Sequence, residues 1–230
     1  MKNTDLLENM LKLQQKLNDE TNGKGWENGY TKEGKLISWR RCIYMECAEL
    51  IDSFAWKHWK SIKNPTNWDN VRIELVDIWH FILSLLLEEK GKKELSFIAM
   101  ELSSVSAFKD FIKEKGTPSD EDMYAIISDI ELIIHKCSGF GFDIGELLSA
   151  FFILCAKCGL NLENLYKIYI GKNVLNAFRQ AHGYKEGLYK KLWNDKEDNE
   201  ILNEILNEIL NQTLSYEAIY KELEKRYEAL

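Results

Sequence analysis

Apolar residues recur every three or four positions along most of the chain, the spacing of one face of an α-helix. The pattern predicts helices over residues 5–18, 36–60, 67–90, 92–115, 120–137, 143–157, 161–182, 196–211 and 215–229. Apolar and polar residues nowhere alternate with a period of two, so we predict no β-strand. The sequence therefore predicts an all-α fold, a helical bundle built around helices 36–60 and 67–90.

The content of glycine and proline supports long helices. Only 13 glycines and 2 prolines occur among 230 residues, which is few for a globular protein. This composition disfavours an immunoglobulin-like sandwich and a glycine-looped nucleotide-binding fold. We expect one all-α catalytic domain over residues 1–230, in which a helical sub-domain around residues 92–160 could be mobile.

Charge, hydropathy and cysteine content indicate the setting of the protein. Lysine and arginine number 30 against 37 aspartates and glutamates, a net charge of −7 that disfavours nucleic-acid binding. No apolar run approaches the ~20 residues of a membrane span, and the N-terminus lacks the apolar core of a signal peptide. Five cysteines, an odd number, favour a reducing compartment. We therefore expect a cytoplasmic protein, with Cys155 and Cys158 as core residues.

Two pairs of carboxylates carry the first chemical signal. Glu46 and Glu49 lie three residues apart on helix 36–60, and Glu74 and Asp77 have the same spacing on helix 67–90. In each pair the first acid stands inside the apolar stripe and the second at its edge. Acids on a core-facing stripe are costly unless they are paired or bind metal.

Three interpretations of these pairs remain open. The first is structural, with salt bridges from Arg40, Arg41 or Arg72. The second is a di-iron centre, which normally requires two Glu-x-x-His pairs, whereas only Asp77-x-x-His80 comes near that pattern. The third is phosphoryl transfer, in which Mg²⁺ ions held by oxygen ligands neutralise phosphates and activate water. All-oxygen ligation favours the third interpretation.

Polar residues elsewhere could hold a nucleotide. One face of helix 161–182 carries Lys172, Asn176 and Arg179, cations for phosphate and an amide for a base or sugar. Gln14 and Asn18 lie four residues apart beside the apolar stripe of helix 5–18, and each amide offers both a donor and an acceptor. Taken alone, each group is better explained as an ordinary polar face or edge of its helix.

Together these motifs resemble the dimeric, all-α dUTPase family, within the wider all-α NTP pyrophosphohydrolases that include MazG-like proteins. The resemblance rests on Glu46-x-x-Glu49, on Glu74-x-x-Asp77 and on the segment GKNVLNAFRQAHGYKEGLYKKLW at 171–193. The two acidic motifs indicate only the superfamily, whereas the third is specific to the dUTPase branch. The match spans about residues 10–193.

The resemblance implies a homodimer that hydrolyses dUTP and dUDP to dUMP with two or more Mg²⁺ ions. Such an enzyme keeps uracil out of DNA and supplies dUMP for thymidylate synthesis. The implied Mg²⁺ ligands are Glu46, Glu49, Glu74 and Asp77. Glu49, at the edge of its stripe where water can reach, is the expected general base, with Glu46 as the alternative.

The resemblance also implies the substrate contacts. The nucleoside contacts would be Gln14, Asn18 and Asn176. The phosphate contacts would be Lys172, Arg179, Tyr184 and Lys185. Phe81 would sandwich the uracil with Trp56, or with Trp59 in an alternative alignment. The competing functions are a MazG-like NTP or dCTP pyrophosphatase, a di-iron carboxylate protein and a non-catalytic helical protein.

Overall fold

The computed structural model describes residues 2–60, 65–91, 93–113, 116, 118–208 and 215–230. The chain divides into two compact units, Met1–Leu165 and Tyr166–Leu230. Helices dominate both units, so the predicted all-α class is confirmed. The single catalytic domain and its mobile sub-domain around residues 92–160 stay predictions.

The first unit is a helical bundle. Its helices are α1 (Asn3–Asn22), α2 (Trp39–Asp52), α3 (Trp68–Lys90), α4 (Leu95–Ser104), α5 (Phe108–Phe111), α6 (Met123–Ser138) and α7 (Ile144–Lys157). Short 3₁₀ turns occur at Trp26–Asn28 and Asp120–Asp122. Helix α8 (Leu162–Ala181) begins at the end of this unit and lies mostly in the second.

Helix α3 is the centre of the first unit. Its apolar residues are buried nearly all round, and it packs against α1 and α2. Trp79 of α3 stacks on Phe151 of α7 at 5.3 Å between ring centroids. The neighbouring α2 buries a narrower stripe that includes Trp39, Ile43 and Leu50. A polar side chain on the stripe where α2 and α3 face each other therefore points toward the other helix.

Helix α2 is shorter than predicted. It begins after Ser38, whose hydroxyl caps the helix, and it ends at Asp52 instead of continuing to residue 60. Phe54, directly after the helix, turns into the core and meets Trp68 edge-on at 5.9 Å. The Asp52 carboxylate accepts hydrogen bonds from Trp56 Nε1, at 3.2 Å, and from Lys57. The chain thus leaves the helical path to bury an aromatic ring.

The predicted helix 92–115 is two helices. Helix α4 ends at Ser104, and α5 begins at Phe108. The hydroxyls of Ser103 and Ser104 donate to carbonyls of their own last turn, at 2.8 and 2.7 Å. Serine hydroxyls that bind the backbone compete with helix continuation. Residues 92 and 114–115 of this prediction lie outside the described part of the chain, as do residues 209–211 of the predicted helix 196–211.

The second unit contains a small hairpin that the sequence pattern did not predict. Strands β1 (Leu192–Trp193) and β2 (Lys196–Glu197) pair antiparallel, and helices α9 (Asp198–Glu208) and α10 (Tyr216–Tyr227) follow. Asn194 and Asp195 form the turn with positive φ angles of 50° and 67°. Two left-handed residues in succession make the turn whose twist suits a two-residue hairpin. Each strand has only two residues, too few to show a period of two.

The cysteines lie mostly in the protein core. The described cysteines are free thiols, and the core positions predicted for Cys155 and Cys158 are confirmed. Burial raises the pKa of the Cys158 thiol to about 12. Among the described residues, no single helix is long and apolar enough to cross a membrane. Helices α7 and α8 pass that test only when they are taken together.

The hairpin turn makes a prediction about stability. Asp195→Gly should raise the free energy of unfolding by about 0.5 kcal/mol, because glycine adopts a positive φ without steric cost. Asp195→Val should lower it by about 1–2 kcal/mol, since a β-branched residue is strained there. Urea unfolding measures both changes. Asp195→Asn is the matched control and should be nearly neutral. Equal stabilities for the valine and asparagine variants would contradict the assigned turn.

Candidate active site

Helices α2 and α3 run antiparallel, and their pairing brings the predicted acids together. Trp39 of α2 stacks on Phe81 of α3 with ring centroids 6.1 Å apart. Glu46 lies seven residues after Trp39 on α2, and Glu74 lies seven residues before Phe81 on α3. These two acids also meet. Seven residues are close to two helical turns, so the same faces stay in contact. The ring pair and the acids are therefore about 10.5 Å apart along the helices.

Three carboxylates form a cluster at this pairing. Glu46, Glu74 and Asp77 each offer one oxygen, and these oxygens lie within 4.8 Å of one another. All three side chains are half-buried, so their mutual repulsion is only partly screened by water. Oxygens bound to one Mg²⁺ at about 2.1 Å lie at most about 4.2 Å apart. Small side-chain movements would therefore bring this set onto a hard divalent cation, and the donor atoms fit Mg²⁺.

The fourth predicted ligand, Glu49, differs from the other three. It follows Glu46 by three residues on α2, and its side chain is exposed. The three-carboxylate cluster does not include it. Its exposure suits contact with water, whereas its role as a ligand stays a prediction.

Two of the arginines considered as neutralisers of the acids bind other groups. Arg40 donates to two backbone carbonyls at the end of α6, at 2.7 and 2.8 Å. Arg72 donates to Asp69 at 3.0 Å. These contacts weaken the structural interpretation of the acids as salt-bridge partners of Arg40 or Arg72.

A buried polar network joins α1 to α3. Gln14 and Asn18 are nearly fully buried, and the amide of each donates to Ser84 Oγ at 3.0 Å. Gln14 Nε2 also donates to Asn18 Oδ1 at 3.1 Å, and Gln14 Oε1 lies 2.7 Å from His80 Nδ1. Both amides thus face inward and are not on a solvated helix face. His80 engages this network and is not part of the carboxylate cluster, as expected from its position on α3.

The aromatic residues predicted to sandwich the base lie in two separate ring contacts of the first unit. Phe81 stacks on Trp39, and Trp39 meets Trp26 edge-on at 5.5 Å. Trp56 and Trp59 lie beyond the end of α2 and meet each other edge-on at 5.5 Å. Phe81 already has an aromatic neighbour in Trp39. The sandwich of uracil between Phe81 and Trp56 stays a prediction.

The predicted cations of α8 are held by residues at the start of α9. Lys172 is almost fully buried, at 1% exposure, and its ammonium donates to Asn199 Oδ1 at 2.9 Å. Arg179 donates two hydrogen bonds to the Asp198 carboxylate, from Nε at 2.8 Å and from Nη2 at 2.7 Å. Its Nη1 donates to Asn176 Oδ1 at 3.2 Å. This part of α8 is therefore not the solvated face that its polarity alone would suggest.

The two predicted phosphate contacts after α8 are exposed. Tyr184 is 49% exposed, and its ring centroid lies 6.0 Å from the Arg179 guanidinium carbon. Lys185, the next residue, is also exposed. The nearby Tyr189 donates its hydroxyl to Asp198 at 2.8 Å. Burial and the Asp198 charge raise the pKa of the Tyr189 hydroxyl well above its usual range, so it remains a donor.

Sequence reasoning missed several partners of the predicted site residues. They are Trp39, which backs Phe81, Ser84, which joins the two amides, and Asp198 with Asn199, which hold the cations of α8. A serine on a mostly apolar helix signals an inward polar contact only weakly. The acid-amide pair at 198–199 shows no spacing that links it to residues about twenty positions earlier.

A comparison with protein families decides the identity. The family model described as dUTPase matches residues 6–184, which is more than half of the chain. The chain belongs to the all-α dUTPase family. The resemblance drawn from the motifs is thereby confirmed, and the protein is a dUTP diphosphatase with a nucleotide substrate. A search of curated proteins gave no significant match.

Family membership bears on the acidic cluster as well. dUTPases generally depend on a divalent metal ion, and the cluster of Glu46, Glu74 and Asp77 is of the kind that binds one. The match ends at residue 184, so Asp198 and Asn199 lie beyond the matched segment. The contacts that hold Arg179 and Lys172 thus come from a part of the chain outside the family match.

The cluster predicts metal-linked stability. Glu74→Gln removes one of the carboxylate ligands of the cluster and should therefore weaken Mg²⁺ binding. Saturating Mg²⁺ should stabilise the wild type, by about 2.7 kcal/mol at a hundred times Kd, and the variant much less. Thermal unfolding with and without MgCl₂ measures both effects.

Glu131→Gln on the exposed face of α6 is the control for charge alone. It should respond to Mg²⁺ as the wild type does. Equal stabilisation of the wild type and Glu74→Gln by Mg²⁺ would contradict a metal site at this cluster.

Proposed function

We propose that the enzyme hydrolyses both dUTP and dUDP to dUMP with Mg²⁺ held by Glu46, Glu74 and Asp77, joined by Glu49. The observation that carries the proposal is the meeting of three half-buried carboxylates from α2 and α3 in a chain of the dUTPase family. Hydrolysis adds water across a phosphoanhydride bridge, so dUTP yields dUMP with pyrophosphate, and dUDP yields dUMP with phosphate. We expect two or more ions, since four carboxylates offer more oxygens than one Mg²⁺ takes from a protein.

The carboxylates and the ion divide the chemistry. Bound Mg²⁺ would supply positive charge for the phosphate oxygens and lower the pKa of a bound water. Glu49 is exposed, so its carboxylate can accept the proton of the attacking water. Glu46 is half-buried within the cluster and is better placed as a ligand than as a base.

Recognition of the nucleoside falls to the buried amides and to Phe81. An amide presents a donor and an acceptor side by side, which matches the N–H and carbonyl of uracil. Gln14 and Asn18 already form hydrogen bonds with Ser84 and His80. A bound base must therefore replace some of these partners. Phe81 with Trp56 stacks the base, and Asn176 contacts the sugar or base.

Recognition of the phosphates falls to cations and a phenol of the second unit, namely Lys172, Arg179, Tyr184 and Lys185. Lysine offers a point charge, and arginine a planar set of donors. Arg179 already donates to Asp198 and Asn176, so a phosphate must share the guanidinium with Asp198 or replace Asn176. The enzyme acts in the cytoplasm as a homodimer, binds neither nucleic acid nor membrane, limits uracil in DNA and supplies dUMP for thymidylate synthesis. Light scattering of the purified protein tests the dimer.

The direct test is a panel of nucleotides with product identification. The wild type with Mg²⁺ should convert dUTP and dUDP to dUMP, and it should do neither with the metal chelated. Glu46→Gln and Glu74→Gln should abolish turnover. Glu49→Gln should lower kcat by about 10²–10⁴-fold, the usual contribution of a general base.

The Glu131→Gln variant serves again as the charge control, with a normal rate expected. Normal turnover in Glu49→Gln together with loss in Glu46→Gln would assign the base to Glu46. Wild-type rates in Glu46→Gln and Glu74→Gln would contradict the metal site altogether.

Base selection makes a second prediction. Cytosine places an amino donor where uracil has a carbonyl acceptor, so a site built for uracil leaves a buried donor unpaired against cytosine. Such a mismatch costs roughly 1–3 kcal/mol, or about 5–150-fold. The preference for dUTP over dCTP should therefore fall in Gln14→Ala and Asn18→Ala. The ratio of the two kcat/KM values measures it and cancels any change in the folded fraction.

Lys172→Ala and Arg179→Ala are the matched comparison, because phosphates are common to both substrates. These variants should lose both activities alike and keep the preference. If the amide variants lose dUTP and dCTP turnover equally, α1 does not select the base.

A further inference from the structure

The salt bridge between Arg179 and Asp198 stands apart from the other ion pairs described. Asp198 has no exposed surface, and the side chain of Arg179 is only 12% exposed. Both carboxylate oxygens are used, one by Nε and one by Nη2 of the guanidinium, and the Tyr189 hydroxyl adds a third hydrogen bond. A bidentate, buried pair fixes the plane of the guanidinium as well as its position.

The hairpin explains how Asp198 reaches this place. Asp198 directly follows β2, and its backbone N–H donates to the carbonyl of Lys191 at 3.0 Å. Trp193 of β1 is buried against Phe178, the neighbour of Arg179 in α8, with ring centroids 6.0 Å apart. The hairpin is therefore anchored beside Arg179. Asp198 is also the first residue of α9, where a negative charge is favoured by the helix dipole.

A fully buried carboxylate is a costly way to tie two helices together. Ion pairs of this kind often contribute no more to stability than apolar residues of similar size. What they provide is a defined orientation. Lys172, seven residues earlier on α8, donates a hydrogen bond to the neighbouring residue Asn199. Two cations of one helix face are thus each held by the first two residues of α9.

We propose that Asp198 is a positioning residue, which holds the Arg179 guanidinium in the orientation that receives the phosphates of the nucleotide. The inference rests on the proposed function, in which Arg179 contacts phosphate. Asp198 acts through Arg179 and does not touch the substrate. An arginine held in place loses little side-chain freedom when phosphate binds, and the effect of one immobilised side chain on affinity is about 2–13-fold.

The test compares binding of α,β-imido-dUTP, which carries three phosphates, with binding of deoxyuridine, which carries none. Both dissociation constants are measured with Mg²⁺ on the full-length protein. The ratio of Kd for deoxyuridine to Kd for α,β-imido-dUTP reports the phosphate contribution, and it falls when the phosphates bind less tightly. A merely structural Asp198 would change the folded fraction and leave the ratio unchanged. The variants are Asp198→Asn, Arg179→Ala and the double variant, with Tyr227→Phe as the control.

Tyr227 stacks on Tyr189 in the same aromatic cluster, and its hydroxyl accepts from the Lys190 backbone N–H instead of contacting Asp198. Tyr227→Phe should leave the ratio within about twofold. Asp198→Asn should lower the ratio about tenfold, and Arg179→Ala by at least as much. The double variant should fall no further than Arg179→Ala alone, since Asp198 acts through that arginine.

The outcomes separate this inference from the proposed function. If Arg179→Ala lowers the ratio and Asp198→Asn does not, the positioning role is wrong and the phosphate contact stands. If Arg179→Ala leaves the ratio unchanged, the phosphate contact itself is wrong, and the positioning role with it. Additive losses in the double variant would also overturn the inference, because Asp198 would then act by another route.

Asp198→Glu covers the case in which Asp198→Asn does not fold. It keeps the charge and moves the carboxylate by the length of one methylene. Misplacement of a binding group on this scale is costly, so the ratio should still fall several-fold. An unchanged ratio in a folded Asp198→Glu protein would show that the orientation of Arg179 does not matter, and would overturn the inference.

Discussion

The pairing of α2 with α3 through their apolar stripes is the constraint on which the first unit depends. Glu46, Glu74 and Asp77 come together because α2 and α3 must bury their apolar stripes against each other, and the acids are part of those stripes. Hydrophobic burial thus brings three carboxylates of two helices close together. The position of the acidic cluster and the pairing of the two helices therefore have one cause.

The sequence predicted the helices and the faces of the carboxylates because both depend on local spacing. An acid within an apolar stripe is visible from residues three and four positions away, and so Glu46 and Glu74 could be assigned from the spacing alone. The end of α2 at Asp52 could not, because it depends on where the ring of Phe54 finds Trp68. Helix propensity alone would have continued the helix.

The partners of the predicted residues depend on contacts between distant parts of the chain, and no periodicity carries such information. Ser84 looked like one polar residue on an apolar helix, yet it receives both buried amides of α1. Asp198 looked like one of several acids near the C-terminus, yet it is fully buried against Arg179. The residues that bear the chemistry were recognisable by type, whereas those that orient them were not.

The equal seven-residue spacings, from Trp39 to Glu46 on α2 and from Glu74 to Phe81 on α3, fix one distance within the first unit. The helical rise sets the distance from the Trp39–Phe81 ring pair to the acids, about 10.5 Å, and no loop can adjust it. Deleting one residue of α2 between Trp39 and Glu46 would turn the acid by about 100° out of the stripe. Only a deletion close to a whole number of turns would return it to that face. A ligand that contacts both the ring pair and the acids must match this distance. A longer or shorter ligand would therefore require α2 and α3 to change length together, and by complete turns.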